Sequence, residues 1–289
     1  MIYQTKERLM IFAQCFVEFI FYSFLGWVWE SIYCTIKEKK WADRGFLFGP
    51  ICPIYGSCVV VTSLLFDLVP VLSDPAFPVW AIFIICYIGS AIAEFGTSLV
   101  LEKRFHARWW DYSNIPLNIQ GRICVPVSMG FGLAGVLIVK YLIPVINGMH
   151  STVHPLVYEI FALIFAVIFG ADFALTEASL SALLKDVEKM HAEFNERAQG
   201  RYEKFHEDVV NIETRVSESK LAMEERVSEM RLSLSKIHAA QLSFNQRRII
   251  SSIQKFVPDK NKTSDQNKDR LLLLGDLKAF GQSVKDKIK

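Results

Sequence analysis

Five long apolar stretches alternate with short polar segments along the first 177 residues. They lie at about 11–35, 47–72, 79–101, 123–147 and 153–177. Because a helix needs about 20 residues to cross the hydrocarbon core of a bilayer, each stretch predicts a membrane-spanning helix. Buried helices of a soluble all-α protein are the alternative, but such proteins rarely repeat windows of this length five times in so short a chain. The first stretch is also too long for the apolar region of a cleavable signal peptide.

The rest of the chain follows a different pattern. Between residues 178 and 258, apolar side chains recur every seven positions, at Val209, Val216, Met223, Met230, Ile237 and Phe244. This spacing predicts a cytoplasmic coiled coil or a long amphipathic helix, which either dimerises or folds back as an antiparallel hairpin within one chain. Residues 259–269 are polar and predict a flexible linker, and residues 270–289 predict a short amphipathic helix.

Composition supports this division of the chain. Hydrophobic residues make up 52% of the sequence and charged residues 21%, yet only 11 of the 32 Lys and Arg lie in the first 177 positions. We therefore predict an all-α fold, in which a polytopic bundle of five spans in residues 1–177 precedes a helical tail. The net charge of +2 excludes a strongly basic nucleic-acid binder, so no nucleic-acid partner is expected.

Positive charge in the short connections predicts the orientation in the cell (inner) membrane. The connections after the first and third stretches hold Lys37, Lys39, Lys40, Arg44, Lys103, Arg104, Arg108 and Arg122. The connections near 73–78 and 148–152 hold no Lys or Arg. Because cytoplasmic loops carry the excess of Lys and Arg, we predict an outside N-terminus and a cytoplasmic tail.

Acidic residues inside the apolar stretches indicate a polar cavity. A charged carboxylate at mid-bilayer costs about 2.5–3.5 kcal/mol, so such a group should face the bundle interior or water. Glu30 lies in the first stretch, and Tyr87, Ser90, Glu94 and Thr97 share one helix face of the third.

Two carboxylates in one cavity can relay protons, coordinate a cation or bind a cationic group. The alternative is that they pair with Arg or Tyr side chains and only lock the bundle. We include Arg44 and Tyr55 among the cavity residues. Glu18, Glu159 and Asp172 lie nearer the ends of their stretches, where a structural role is favoured.

The start of the second stretch cannot be one straight helix. Pro50 and Pro53 lie among three glycines between Gly45 and Gly56, and proline interrupts helical hydrogen bonding. Either a discontinuous helix marks a binding site, as in several transporters, or a helix begins at Pro53 after an interfacial turn.

The connection at 104–122 predicts a folded cap at the inner face. It combines aromatic and polar side chains, of which we single out Trp110, Asp111, Tyr112, Asn118 and Arg122. These side chains are expected to bond one another or a ligand, and membrane lipid with an anionic headgroup is an expected partner. No catalytic constellation, metal site or cofactor motif is found in the sequence.

Three separated motifs resemble a known family. They are Phe24–Glu30, Asp43–Gly56, and Trp110–Ser113 with Gly121–Cys124. Over about residues 10–177 the chain resembles the bacterial family labelled putative ABC-transporter type IV, or CmpB-like permeases, except that Asp43 stands where Asn is expected. The resemblance implies a compact helical membrane bundle with a permease role.

We therefore predict a permease-like component that moves a small solute through a polar cavity. Because the sequence has no G-x-x-x-x-G-K-[ST] phosphate loop, ATP hydrolysis would need a separate ATPase subunit. A homo-oligomer through the tail is also expected. Two alternatives remain: a membrane enzyme or lipid-headgroup-binding protein using Asp111, Arg122 and Glu94, and a membrane-anchored coiled-coil scaffold or regulator.

Overall fold

The fold is almost entirely helical, which confirms the predicted all-α class. The computed structural model describes residues 2–39, 45–74, 76–150, 152–209, 216–259 and 262–287. The chain divides into two compact units. Unit 1 comprises Met1–Lys103 and Trp109–Thr176, and unit 2 comprises Arg104–Arg108 and Glu177–Lys289.

Unit 1 contains the apolar helices. They are α1 (Ile2–Glu38), α2 (Pro53–Leu68), α3 (Val79–Phe105), α4 (Val125–Leu137), α5 (Ile143–His150) and the first part of α6 (Pro155–Val209). A π-helical segment, Ile138–Leu142, joins α4 to α5 without a break. Large apolar side chains on these helices remain exposed, for example Phe12 at 71%, Leu163 at 71% and Val167 at 74%. Contiguous apolar surface of this kind fits contact with lipid.

Four helices among the described residues are long and apolar enough to cross a membrane. They cover Met10–Lys37, Val79–Phe105, Val125–His150 and Pro155–Arg197. The predicted second span contains only the 16 residues of α2, about 24 Å of helix. The structure thus supports a helical membrane protein, and the count of five spans stays a prediction.

The start of α2 resolves the two interpretations of the proline-rich segment. The helix begins at Pro53, with Cys52 at the N-cap and proline in the first turn. Proline is well placed there because the N–H it lacks would have no partner inside the helix. Residues 45–50 before it form bends and not helix.

Unit 2 contains the tail. Its helices are the second part of α6, α7 (Val216–Gln241), α8 (Phe244–Ser252) and α9 (Ser264–Lys287). A short antiparallel pair, β1 (Ala107–Arg108) with β4 (Lys255–Phe256), joins the segment after α3 to the tail. Two further strands, β2 (Asn118–Ile119) and β3 (Ile123–Cys124), pair in unit 1.

Some apolar positions of α7 pack within the chain, whereas other positions of the heptad repeat are exposed. Met230 and Leu234 of α7 are 7% and 2% exposed and form a cluster with Phe194 of α6. Ile237 and Phe244 continue the predicted repeat but are 54% and 81% exposed. This packing lies within one chain, as the fold-back alternative expects, and the side chains of Val209, Val216 and Met223 lie outside the described residues.

The tail helices are interrupted more often than the repeat predicts. Leu242 and Ser243 separate α7 from α8, and Ser243 caps α8 through a reciprocal pair of hydrogen bonds with Gln246. The last helix begins at Ser264, inside the segment 259–269 that the sequence predicts as a linker. Thr263 and Gln266 supply its cap, since each side chain accepts from the other's backbone N–H. Capping residues are polar, so their composition resembles that of a linker.

Candidate functional site

A buried carboxylate of α3 meets a phenol from the cap. Tyr112 donates from its hydroxyl to Glu94 Oε1 at 3.1 Å, and Glu94 is only 6% exposed. The cap positions Tyr112 through its backbone N–H, which donates to the Gly121 carbonyl at 2.8 Å. A carboxylate within a predicted span is thus shielded from lipid.

The second oxygen of Glu94 is the notable feature of this site. Glu94 Oε2 is buried and has no hydrogen-bond partner among the described residues. Burying a charged oxygen without a partner is costly, so such an atom calls for a proton, a cation or a ligand donor.

Glu30 of α1 and Tyr55 of α2 lie beside the same pair. Cys52 Sγ lies 3.7 Å from Glu30 Oε2, and both Glu30 and Glu94 act electrostatically on Tyr55. Burial raises the pKa of Tyr112 well above its ordinary value, and the charges of Glu94 and Glu30 raise that pKa further. We call Glu30, Tyr55, Glu94 and Tyr112 the polar centre.

The non-helical segment before α2 is held by an acidic residue of α6. Asp172 accepts from the backbone N–H groups of Phe48 at 2.9 Å and Gly49 at 2.8 Å, and from the Thr176 hydroxyl at 3.3 Å. Irregular backbone at membrane depth requires such partners from the protein. Sequence reasoning favoured a structural role for Asp172 but did not link it to this segment. Because the prolines prevent a helix in this segment, its backbone N–H groups need partners from elsewhere in the chain. That need was the signal in the sequence that could have pointed to an acidic side chain such as Asp172.

Close contact between α1 and α2 lies next to the polar centre. A Cβ on Gly26 would overlap the Tyr55 side chain, and one on Gly56 would overlap Ser23 Oγ and the Phe19 carbonyl. Cys52 also donates its backbone N–H to the Ser23 carbonyl at 2.9 Å. Small residues permit this approach, which fixes Tyr55 against α1.

The cap is a folded loop whose polar groups mainly bond one another. Asn118 organises it, because its amide donates to the Ile115 carbonyl at 2.7 Å and its oxygen accepts from Gly121 N–H at 3.0 Å. Trp110 Nε1 donates to the Arg122 carbonyl at 2.9 Å, and Asp111 Oδ1 accepts from the Ser113 hydroxyl at 2.5 Å. Backbone at Gln120 and Gly121, in the tight connection between β2 and β3, adopts positive φ angles.

Arg122 anchors the cap to α3. It is 4% exposed, its Nη1 donates to Ser98 Oγ at 3.1 Å, and its Nη2 lies 2.8 Å from Glu102 Oε1. Its guanidinium also lies over the Phe95 ring. These contacts give Arg122 a structural role in the cap. Its partners Ser98 and Glu102 lie about one and two turns after Glu94 on α3.

The structure does not place every predicted cavity residue at the polar centre. Ser90 donates its hydroxyl to the Tyr87 carbonyl within α3, and Tyr87 stacks on Phe83. Thr97 is half-buried. Arg44 lies outside the described residues. Among the residues that the structure describes, no group of three or more His, Cys, Asp or Glu side chains is arranged to hold a metal ion.

Together these features define a polytopic helical membrane protein with charged and phenolic groups buried beside its spans. Comparison with known proteins assigns the chain to a family within this class. The family model described as "Putative ABC-transporter type IV" matches residues 17–177, and the chain belongs to this family. No curated protein and no solved structure matches the chain.

Proposed function

We propose that this protein is a membrane component of a transport system and that its polar centre binds a small organic cation. The observation that carries the proposal is Glu94 Oε2, a buried carboxylate oxygen without a hydrogen-bond partner in the described part of the chain. A solute with an N–H donor and positive charge would supply what this oxygen lacks.

The chemistry of the surrounding groups favours a cation over an anion or a sugar. Glu30 and Glu94 are both carboxylic acids, and an ionised carboxylate repels an anion and attracts a cation. The Tyr55 ring packs on Phe131 with ring centroids 6.0 Å apart, which offers aromatic surface beside the carboxylates. Aromatic faces attract cations, most strongly where water is excluded.

The same geometry weighs against the other functions considered. An enzyme acting on lipid headgroups would need free acid–base groups at the inner face. Arg122 is instead committed to Ser98 and Glu102, and the Asp111 carboxylate accepts from Ser113. A scaffold would not need a carboxylate buried in its membrane anchor, since such a group destabilises insertion.

Orientation and span number complete the proposal. We place α2 and the bent segment before it across the membrane as a fifth span, because 45–52 adds length to a helix too short by itself. The excess of Lys and Arg after α1 and α3 then places the cap and the tail in the cytoplasm. The N-terminus lies outside.

The family assignment supports a separate ATPase subunit as partner. Such a subunit would dock on cytoplasmic segments of the chain. Five spans form a small pathway, so we also propose a homo-oligomer, for which the exposed Ile237 and Phe244 of the tail are the available surface.

A counterflow experiment tests the transport proposal without an energy source. Full-length protein is reconstituted into liposomes loaded with unlabelled guanidinium, and entry of labelled guanidinium is followed. Wild-type protein should exchange the label, Glu94→Gln should abolish exchange, and Glu159→Gln on α6 should exchange at the wild-type rate. Equal exchange by the Glu94 variant and the wild type would exclude the polar centre as the binding site.

If deletion of residues 178–289 removed the cellular phenotype while Glu94→Gln left it intact, the scaffold alternative would replace transport. Chemical turnover of a lipid by the purified protein would favour the enzyme alternative.

A further inference from the structure

The tail contains a cavity that solute transport through the polar centre does not use. The cavity has a volume of about 320 Å³ and lies within unit 2, between α6, α7, α8 and α9. Its floor is formed by apolar side chains that are at most 7% exposed, namely Leu183, Val187, Met190, Leu242 and Leu277. A volume of this size falls at the lower end of the range for ligand sites in proteins.

A phenylalanine lies at the rim of this cavity but does not fill it. Leu242 and Gln246 line the cavity, and Phe244, which lies between them in the sequence, is 81% exposed. No other large apolar side chain among the described residues is as exposed. A single exposed apolar side chain is common on a protein surface. An exposed aromatic ring beside an apolar cavity is instead the pair of features that meets at an interface, where aromatic anchors fill pockets.

The start of α8 holds Phe244 in a fixed position. Phe244 is the first residue of α8, and the residues on either side of its first turn form a capping box. The Ser243 N–H donates to Gln246 Oε1 at 2.9 Å, and the Gln246 N–H donates to Ser243 Oγ at 3.2 Å. Gln246 also donates its amide to Asp186 Oδ2 of α6 at 2.8 Å. The backbone that carries the ring is therefore ordered before any partner binds, which lowers the entropy lost on association.

The size of the cavity suits a phenyl ring. An apolar cavity of about 150 Å³ holds benzene, so a cavity of about 320 Å³ has room for the Phe244 ring of a second copy. Insertion of the ring would remove both the ring and the apolar floor from water, which is favourable for each of them.

The charges beside the ring and the cavity are complementary. The charged side chains at the rim of the cavity are Asp186, Lys189 and Glu193. Two carboxylates thus face one ammonium group, so negative charge is in excess. Arg247 and Arg248 follow Phe244 on α8. Insertion of Phe244 into a second copy would bring this positive part of α8 towards the negative rim, which favours that orientation.

We propose that unit 2 forms a symmetric dimer in which Phe244 of each copy enters the cavity of the other. Because the ring and the cavity lie side by side on one surface, two reciprocal contacts can form about a two-fold axis and give a closed pair. The inference rests on the homo-oligomer of the proposed function and names its contact surface. It does not depend on cation binding at Glu94.

Sedimentation of the full-length protein in detergent, over a range of protein-to-detergent ratios, tests the dimer. The wild type should form dimers, and Phe244→Ala should dissociate at least about tenfold more readily, because it lacks the aromatic anchor. Leu232→Ala is the matched control, since Leu232 of α7 is 37% exposed and does not line the cavity, and it should dimerise like the wild type. A monomeric wild type would overturn the proposal, as would equal dimerisation of the wild type and Phe244→Ala.

A photo-crosslinker tests the cavity side of the contact without altering the cavity. Irradiation of the variant Phe244→p-benzoylphenylalanine should link two copies, and mass spectrometry should locate the link at a residue of the cavity floor such as Met190. The variant Leu232→p-benzoylphenylalanine should give no link to the cavity. Links from position 244 to lipid alone, or to a surface outside the cavity, would overturn the proposal.

The outcomes also separate this dimer from the proposed transport function. Phe244→Ala should bind guanidinium like the wild type, and Glu94→Gln should dimerise like the wild type. A wild-type dimer that does not bind guanidinium would contradict the transport proposal alone, whereas a monomer that binds guanidinium would contradict the dimer alone. A dimer that persists in Phe244→Ala would keep the homo-oligomer and reject this contact surface.

Discussion

The hydroxyl of Tyr112 donates to the carboxylate of Glu94 at 3.1 Å and thereby joins the cap to the middle of α3. One partner lies in a loop outside the predicted spans and the other inside a span. The cap therefore takes part in the polar centre and does not only anchor the bundle at the headgroup region. Any movement of the cap would change what the Glu94 carboxylate can bind.

Replacement of Tyr112 by Phe should weaken cation binding without removing it. The variant loses the donor that orients the Glu94 carboxylate, and a loss of about 1.4 kcal/mol from this preorganisation lowers guanidinium affinity by about tenfold. Equilibrium binding of labelled guanidinium to purified protein measures this. Tyr141→Phe is the control, because the Tyr141 side chain is 69% exposed. Equal affinities for wild type and Tyr112→Phe would show that this hydrogen bond does not shape the site.

A methyl group at Gly26 should destabilise unit 1. The new Cβ would overlap Tyr55, and overpacking of a close contact costs about 1–3 kcal/mol. Thermal unfolding should therefore start several degrees lower in Gly26→Ala than in the wild type. Gly96→Ala on α3 is the matched control, since nothing lies within 4 Å of its added Cβ, and its stability should be unchanged or higher. A Gly26 variant as stable as the Gly96 variant would mean that α1 and α2 are not in close contact.

Neutralising Arg122 should unfold the cap. Breaking a buried ion pair costs up to about 3–5 kcal/mol, and Arg122→Gln removes the contact between the buried guanidinium and the partly exposed Glu102 carboxylate. Limited proteolysis should then cleave within 106–122 at least about tenfold faster than in the wild type. Arg104→Gln breaks the Arg104–Glu177 pair, in which both side chains are at least 36% exposed, and should have little effect. Similar proteolysis of both variants would contradict an anchoring role for Arg122.

Two apolar positions of α7 should behave differently. Leu234→Asp places a charge in the cluster with Phe194 and Met230, so it should unfold unit 2 and increase proteolysis of the tail. Ile237→Asp lies at an exposed position, so it should leave unit 2 folded and shift the full-length protein towards monomer in light scattering. A folded Leu234 variant would show that the α6–α7 packing is not what holds the tail together.

The spacing of apolar residues predicts the helices well because that pattern is local. α1 and α3 to α6 follow the predicted stretches, and helix periodicity directs Glu94 away from lipid. Ser90 lies on the Glu94 face and donates to the carbonyl of Tyr87 three residues earlier, and its place in the cavity stays a prediction. A serine hydroxyl often donates to a carbonyl of its own helix in this way.

The sequence could not predict which residues far apart in the chain come into contact. Tyr112 and Glu94 are 18 residues apart, and Asp172 and Gly49 are 123 apart. Neither contact follows from a spacing rule, because each depends on how the cap and α6 pack in three dimensions. The same holds for His150 and Glu18, which the sequence places at the ends of separate stretches.

Binding of labelled guanidinium to purified Glu94→Gln tests the central claim most directly. Saturable binding should be present in the wild type and in Glu159→Gln and should be reduced at least about a hundredfold in Glu94→Gln, which corresponds to about 2.8 kcal/mol. Glu94→Gln protein that melts like the wild type but binds guanidinium with wild-type affinity would show that the unpartnered carboxylate oxygen is not the site of cation binding.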